Sequence, residues 1–371
     1  MKRSSVYYSS SSDARIALEE VCSKIEKEGE TPILMIFFAE YDIFIDCAQK
    51  LKDRFPDALT IGSTSYTNFC TRGNGATGFS VLTVNSGIEC AGGALFEAGR
   101  YPMNYRAHID KALAALSGTD NTCCIEFTNA FTMGEELVLD TFAKKLEGLD
   151  IPIVGGSSGT HNGDTKTIVS LNGEVYIDTR VFAFVRNLEG RIAYVKENIF
   201  RPMDKYFTAT DVDCEERLVY EFDNKPAALV MEELLGAKGE ALREEMKNHP
   251  IGRIEGDDIA ITEFSDIGDD DSITYYARVY NMTKMVLLEL DNIEDVWEDT
   301  VDRARKKITN PSFSLVVNCL SRSRMFEKDN MFESFCNNLK SGYGTFIGIS
   351  GYGEQLNTVH LNQSMLVLMF E

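Results

Sequence analysis

Histidine and tryptophan are scarce in this chain, with four and one among 371 residues. The histidines (His108, His161, His249 and His360) are too few and too scattered for a metal centre built on imidazole, so no metal or cofactor is expected. Positive charge is also short. Against 58 Asp and Glu stand 37 Lys and Arg, a net charge of −21. That balance argues against a nucleic-acid partner or an anionic membrane surface, because both are recognised through basic patches. No apolar run approaches the ~20 residues that span a bilayer, which excludes membrane insertion by a helix. The start, MKRSSVYYSSSSDARIALEE, lacks the apolar core of a signal peptide, and a cytoplasmic location is expected. The nine cysteines form no regular framework. Cys123, Cys124 and Cys319 fall in strand-like runs, and Cys47 and Cys336 in helix-like ones, as buried thiols of a reducing compartment do.

What the chain does have is glycine in a recurring frame. The segments are ALTIGSTS (58–65), IPIVGGSSGT (151–160) and TFIGISGYGE (345–354). Before each lies an apolar run followed by a helix-patterned stretch: ILMIFFA (33–39), CCIEFT (123–128) and FSLVVN (313–318). After each comes a second apolar run: FSVLTV (79–84), TKTIVSL (165–171) and MLVLMF (365–370). Such self-similarity marks repeated supersecondary units. The glycine segments read as turns that would line a cleft with backbone N–H groups, hydroxyls and little side-chain bulk. That lining suits holding a small polar ligand.

The expected fold class is mixed α/β (α+β), with repeated β-α-β-β units, mixed sheets covered by helices, and two related domains. The serine-rich start through Ser12 reads as partly ordered, and residues 13–29 as an amphipathic helix on Ala14, Ala17, Leu18, Val21 and Ile25. An N-terminal segment and helix (1–30), a first domain (31–205) and a second domain (206–371) emerge from the pattern. Asn162-Gly163 and Asn172-Gly173 signal hairpins. In DNKPAALVMEELLG (223–236), Asp223 or Asn224 reads as the helix cap and Gly236 as its stop.

The C-terminal third carries a more specific combination: FSLVVNC running into CLSRS (319–323), then a helix, IGISGYGE (347–354) and LNQSMLVL (361–368). Upstream lie ALVMEELLG and HPIG (249–252). Together these resemble the FIST family, a two-part module of intracellular signal-transduction proteins. Its C-terminal part shows a Cys-x-x-Arg after a strand, a Gly-Glu pair in the next turn and an Asn before the last strand. Cys319, Arg322, Gly353, Glu354 and Asn362 occupy those places. Its N-terminal part shows a Gly-Cys-Ser-Thr-type turn, then a Gly-Gly-rich one. This chain has Gly62-Ser63-Thr64-Ser65, with Ser63 for the Cys, and Gly155-Gly156-Ser157-Ser158-Gly159; its Thr67-Asn68 stands where a Gly-Glu pair is expected. The resemblance implies a stand-alone sensory protein that binds a small molecule, such as an amino acid, and answers to a signalling partner.

The ligand-binding residues so implied are Gly155, Gly156, Ser157, Ser158, Arg322, Gly353, Glu354 and Asn362. Arg322 can fork a carboxylate and Glu354 can take an ammonium, or the two can simply pair with each other. His161 and His360 lie beside glycine or Asn motifs, where a surface role is the simpler reading. An alternative of another class is a hydrolase or transferase. GGSSG matches the G-x-S-x-G elbow with Ser157 as nucleophile, but the elbow must open a helix, and the residues after Gly159 read as a polar turn and a strand. Cys319 is the other nucleophile to weigh, with Arg322 near to favour thiolate. A third reading is a protein-interaction scaffold. No catalytic residue is assigned.

Overall fold

The computed structural model describes residues 2–96, 102–132, 134–161, 166–256 and 258–371, and the side chains of these except 102–104. Two compact units share the chain. One takes Met1–Lys196, Glu298–Thr358 and Met365–Glu371, and the other takes Glu197–Trp297 and Val359–Ser364.

The first unit opens with β1 (Ser4–Ser9) and α1 (Ala14–Lys27). Asp13 caps α1 by accepting from the Ile16 N–H at 2.9 Å, and Ala17, Leu18, Val21, Cys22 and Ile25 bury its apolar stripe. The serine-rich start is thus a strand, paired antiparallel with β6 below. Val6 and Tyr7 supply the burial, which the surrounding serines hide in a composition-based reading.

The first repeat runs β2 (Leu34–Ala39), α2 (Tyr41–Arg54), β3 (Leu59–Thr64), the hairpin β4 (Asn68–Cys70) and β5 (Gly73–Gly75), and β6 (Phe79–Val84). All six residues of β2 are buried, as expected of a strand lined on both sides by others. It pairs parallel with β3 and antiparallel with β6. After β7 (Ile88–Phe96) and α3 (Pro102–Ala114), the second repeat uses β8 (Thr122–Thr128), α4 (Glu135–Lys145), β9 (Ile153–Ser157), β10 (Val169–Leu171), β11 (Glu174–Tyr176) and β12 (Thr179–Asn187). Asn172 and Gly173, both at positive φ, make the hairpin between β10 and β11. Asn162-Gly163 lies outside the described residues. The strand that completes this repeat is β12, which pairs antiparallel with β8. TKTIVSL, expected in that place, instead supplies β10, the counterpart of the short strand β4.

β13 (Ile192–Asn198) leads toward the second unit, an eight-stranded antiparallel sheet. Its elements are β14 (Phe200–Asp213), β15 (Leu218–Phe222), β16 (Lys225–Pro226), α5 (Ala227–Leu235), α6 (Glu240–Asn248), β17 (Ile251–Glu255), β18 (Asp258–Thr262), β19 (Phe264–Ile267), β20 (Ile273–Tyr275) and β21 (Thr283–Leu290). Phe207, Phe222 and Met285 of the sheet pack with Met231 of α5 and Met246 of α6. Asp223 and Asn224, both at positive φ, form the hairpin between β15 and β16, and Pro226 is the cap of α5. Gly236 ends that helix in the left-handed conformation.

After α7 (Ile293–Lys307), the third repeat returns to the first unit with β22 (Phe313–Cys319), α8 (Leu320–Lys328), α9 (Phe332–Gly342), β23 (Phe346–Gly351), β24 (Gly353–Leu356) and β26 (Ser364–Phe370). β25 (Val359–Leu361) belongs to the second unit. β22 pairs parallel with β23 and antiparallel with β26, the same plan a third time.

The repeats are interlocked by exchange. β10 of the second repeat pairs with β3 of the first, β4 of the first with β23 of the third, and β24 of the third with β9 of the second. No repeat completes its own sheet.

The glycine segments are where the three repeats meet, and they are strand rather than turn. Gly62, Gly155, Gly156, Gly348 and Gly351 lie within β3, β9 and β23. None of the five has a positive φ. Three backbone bonds close a ring just beyond or at the strand ends. Gly159 N–H donates to Thr64 O (3.0 Å), Tyr66 N–H to Ser350 O (2.9 Å), and Tyr352 N–H to Ser157 O (3.2 Å). Each repeat gives one carbonyl and, two residues on, one N–H.

Glycine is needed here for closeness. A Cβ on Gly351 would lie 1.9 Å from Ser157 O, whereas one on Gly148 would meet nothing within 4 Å. Gly351→Ala should therefore cost on the order of 3–5 kcal/mol in urea unfolding, against roughly 1 kcal/mol for Gly148→Ala, which carries only the strain of its positive φ. Equal losses at the two positions would show that the ring does not constrain the fold.

Candidate functional site

The structure sets Gly353 opposite Ser157 and Glu354 opposite Gly156 in the β9–β24 pair. Ser158 follows β9, and all these residues are buried. The polar atoms of the two serines are engaged within the ring region. Ser157 Oγ accepts from Gln355 Nε2 (3.0 Å), and Ser158 Oγ and N–H both donate to Thr128 O (2.8 Å each). The space over the glycines is filled by neighbours. A Cβ on Gly155 would stand 2.1 Å from Glu126 O, one on Gly156 2.5 Å from Val317 Cγ1, and one on Gly159 2.1 Å from Ser350 O. The glycines thus serve the approach of chain to chain.

Arg322 stands in the first turn of α8 and Glu354 in β24, each with no exposed surface. The Arg322 guanidinium lies 5.5 Å from the Phe326 ring centre, one turn along the helix. Beside it, Asn318 Nδ2 donates to Ser323 Oγ (2.9 Å), and Ser323 Oγ and Ser350 Oγ are 2.7 Å apart, tying α8 to β22 and β23. Asn362 belongs to the second unit. There its N–H donates to Ile261 O (3.1 Å) and its Oδ1 accepts from Glu263 N–H (3.1 Å). Ser157 ends a strand, and no helix follows Gly159 among the described residues, so the elbow geometry is absent there. Cys319 is buried at the end of β22. His161 is exposed, 5.0 Å from the Tyr66 ring, and His360 is buried in the second unit.

Superposing the registers reveals a pair of residues that the sequence pattern does not single out. Opposite Gly62 stands Phe37, opposite Gly348 stands Val316, and opposite Gly155 stands Glu126. On the third strands, Phe79 faces Ala39, Met365 faces Asn318, and Arg180 faces Thr128. The second repeat therefore places a carboxylate and a guanidinium where its siblings place apolar pairs. Glu126 is 1% exposed and Arg180 3%. Arg180 reaches the start of α4, with Nη2 and Nη1 at 3.5 and 3.6 Å from where a Cβ on the capping Gly134 would be. Glu135 and Glu136, in the first turn of α4, are also buried. The one signal in the sequence was a lone acid inside CCIEFT and a lone base inside TRVFAFV.

Burial pushes the Glu126 carboxyl up from its ordinary 4.5 to about 7; Arg180 opposes this and Glu135 adds to it. An acid with a raised folded-state pKa holds its proton more tightly folded than unfolded. Its contribution to stability is therefore lost as pH rises from about 4.5 through 7. Glu126→Gln carries no such proton, so between pH 5 and pH 8 wild type should lose stability relative to it, by on the order of 2–3 kcal/mol. Parallel stability–pH curves for the two proteins would show that Glu126 is ionised throughout.

A cavity of about 820 Å³ is lined by Thr119–Thr122, Gly148–Pro152 and Ile192–Tyr194. It lies at the starts of β8 and β9, the ends away from the ring, and holds none of the residues singled out above.

The FIST N domain matches residues 33–225 and the FIST C domain residues 227–357. The first match holds the first two repeats, and the second runs from the α5–α6 segment through most of the third. An uncharacterized protein of Methanocaldococcus jannaschii is 25% identical over 273 residues, which cover 64% of this chain and 51% of that protein. The chain thus spans about half the length of this curated relative. With both parts of the module present in order, the chain belongs to the FIST family of signal-transduction sensor domains.

Proposed function

We propose that this chain is a cytoplasmic sensory protein that binds a small polar metabolite in its first unit and passes the bound state to a signalling partner. Ligand contact is assigned to Arg322 and Glu354, with the Gly155–Ser158 strand end and Gly353 beside them. The observation that supports this most is that Arg322 and Glu354, of opposite charge, both have zero exposure beside the ring of strand ends. Burying full charges is costly, and such groups concentrate at functional sites. In open α/β sheets ligands favour the carboxyl ends of parallel strands, which is where β22 hands over to α8 and β9 ends. All nine cysteines are free, in keeping with a reducing compartment.

A ligand that binds only the native state raises the melting temperature, so a thermal-shift screen against the common amino acids is the direct test. With a ligand so found, Arg322→Ala should weaken binding on the order of 30- to 1,000-fold by calorimetry, and Arg322→Lys should recover only part, because an ammonium cannot fork a carboxylate. A folded Arg322→Ala protein that binds as tightly as wild type would make the arginine structural.

A further inference from the structure

The starts of the parallel strand pair are built differently in the three repeats. In the third, the links that lead into β22 and β23 meet: a Cβ on Gly344 would stand 2.6 Å from Pro311 O. In the first, they leave a cleft of about 360 Å³ between Glu30–Ile33 and Arg54–Ala58, with Pro32, Phe55 and Pro56 in its walls. In the second, the cavity of about 820 Å³ opens between Thr119–Thr122 and Gly148–Pro152, and Ile192–Tyr194, Lys307 and Asn357 form its other side. All the residues of this cavity belong to the first unit.

Its wall is held by side chains that hydrogen-bond to main chain. Asn121 Nδ2 donates to Asn187 O and Gly190 O (2.6 Å each), and its Oδ1 accepts from Ile192 N–H (3.2 Å). Asn357 Oδ1 accepts from Ile153 N–H (3.1 Å), and its own N–H donates to Ile153 O (2.9 Å). Lys307 Nζ donates to Tyr194 O (2.9 Å) and lies 5.2 Å from the centre of the Tyr194 ring. Left over for a ligand are Asn357 Nδ2, the remaining ammonium protons of Lys307, the Thr119 hydroxyl and the Asp150 carboxylate. Arg186 Nη2 compensates Asp120 at 2.8 Å, and Lys307 offsets Asp150, so the lining is close to neutral.

We infer that this cavity binds a neutral polyhydroxylated ligand of the oligosaccharide type, its hydroxyls shared among Asp150, Thr119, Asn357 and Lys307 and one sugar face laid on Tyr194. The lining selects this class. A nucleotide or other phosphate would meet Asp120 and Asp150 with only Lys307 in its favour. An apolar ligand would strip water from a carboxylate, an amide and an ammonium without replacing the lost bonds. A peptide strand would find Ile192 N–H and Tyr194 O on β13 already taken by Asn121 and Lys307. An amino acid can bridge Asp150 and Lys307, but it fills a small part of a volume that suits a ligand of several rings. A sugar hydroxyl both donates and accepts, so it pairs with carboxylate, amide and ammonium alike, and the C–H face of the ring packs on an aromatic side chain. The site is separate from Arg322 and Glu354 and stands or falls independently of them.

The test is calorimetry on the full chain with maltotriose, cellotriose, mannotriose and chitotriose, and with adenosine monophosphate and the common amino acids as controls. At least one trisaccharide should bind with a Kd of about 1 mM or tighter, and its monosaccharide at least about tenfold more weakly. On binding, amide hydrogen exchange should slow at Thr119–Thr122 and Ile192–Tyr194 and stay unchanged at Gly155–Ser158. Asp150→Asn, Tyr194→Ala and Thr119→Trp, the last placing an indole in the cavity, should each weaken binding about tenfold or more. Asp150 is exposed and Thr119 half-buried, so these two variants decide the matter if Tyr194→Ala does not fold. Arg322→Ala should leave saccharide binding in place. The inference is overturned if no trisaccharide binds, if a control competes for the cavity as tightly, or if Asp150→Asn and Thr119→Trp keep wild-type affinity. Loss through Arg322→Ala with Asp150→Asn unaffected would overturn it too, by placing the saccharide at the other site.

Discussion

Three main-chain hydrogen bonds, from Gly159 to Thr64, Tyr66 to Ser350 and Tyr352 to Ser157, join the strand ends of the three repeats in the first unit. Each net contribution is about 1 kcal/mol, but a buried N–H or carbonyl left unmade would cost more, so the ring is kept whole. Closing it brings strand ends from three distant stretches of chain closer than any side chain permits. That requirement explains the glycine and small-hydroxyl composition of the segments. It also explains the strand exchange, since a hairpin leaving the ring runs naturally onto the neighbouring repeat's open edge. Phe38 and Phe127, edge to face at 5.3 Å, are the matching positions of two repeats and pack just behind the ring.

Near-threefold repetition makes the exceptions informative. Positions that the registers equate experience similar burial and similar neighbours, so a change of residue class between them reflects a different demand. Phe37, Phe79, Val316 and Met365 meet the ordinary demand of a core. Glu126 and Arg180 do not. At the position of Glu354 the first repeat has Asn68, whose Nδ2 donates to Gly78 O at 3.2 Å, and the second has Val169. The Gly-Glu pair is therefore particular to the third repeat, and charge is distributed unequally over an otherwise common frame.

The two FIST parts divide the chain by sequence, while the compact units divide it in space. The third repeat lies in the C-terminal part of the sequence yet completes the unit begun by the N-terminal part. The strand exchange supplies the reason: β9 needs β24, and β23 needs β4. Neither part alone supplies the partners of the first unit's strands.

Local pattern was enough for much of this. Helical spacing placed α1, α2 and α7, continuous apolar runs placed β2, β8 and β22, and Asn172-Gly173 and Gly236 marked a hairpin and a helix end, because each depends on neighbours within one turn or one strand. The repeated order of strand, helix and glycine segment was legible for the same reason, and so were Arg322 and Glu354 as charges beside it. Asp223-Asn224 misled because a cap and a hairpin use the same residues, and only the pairing of β15 with β16 distinguishes them. That Ser4–Ser9 is a strand, that β12 rather than the TKTIVSL run completes the second repeat, and that the glycines close a ring instead of opening a cleft depended on which distant segment arrives beside each one. The placing of Glu126 and Arg180 on one face of the β8–β12 pair belongs to this second class. Period and propensity report which face of an element is buried, but the partner that buries it is chosen only when the three repeats close on one another.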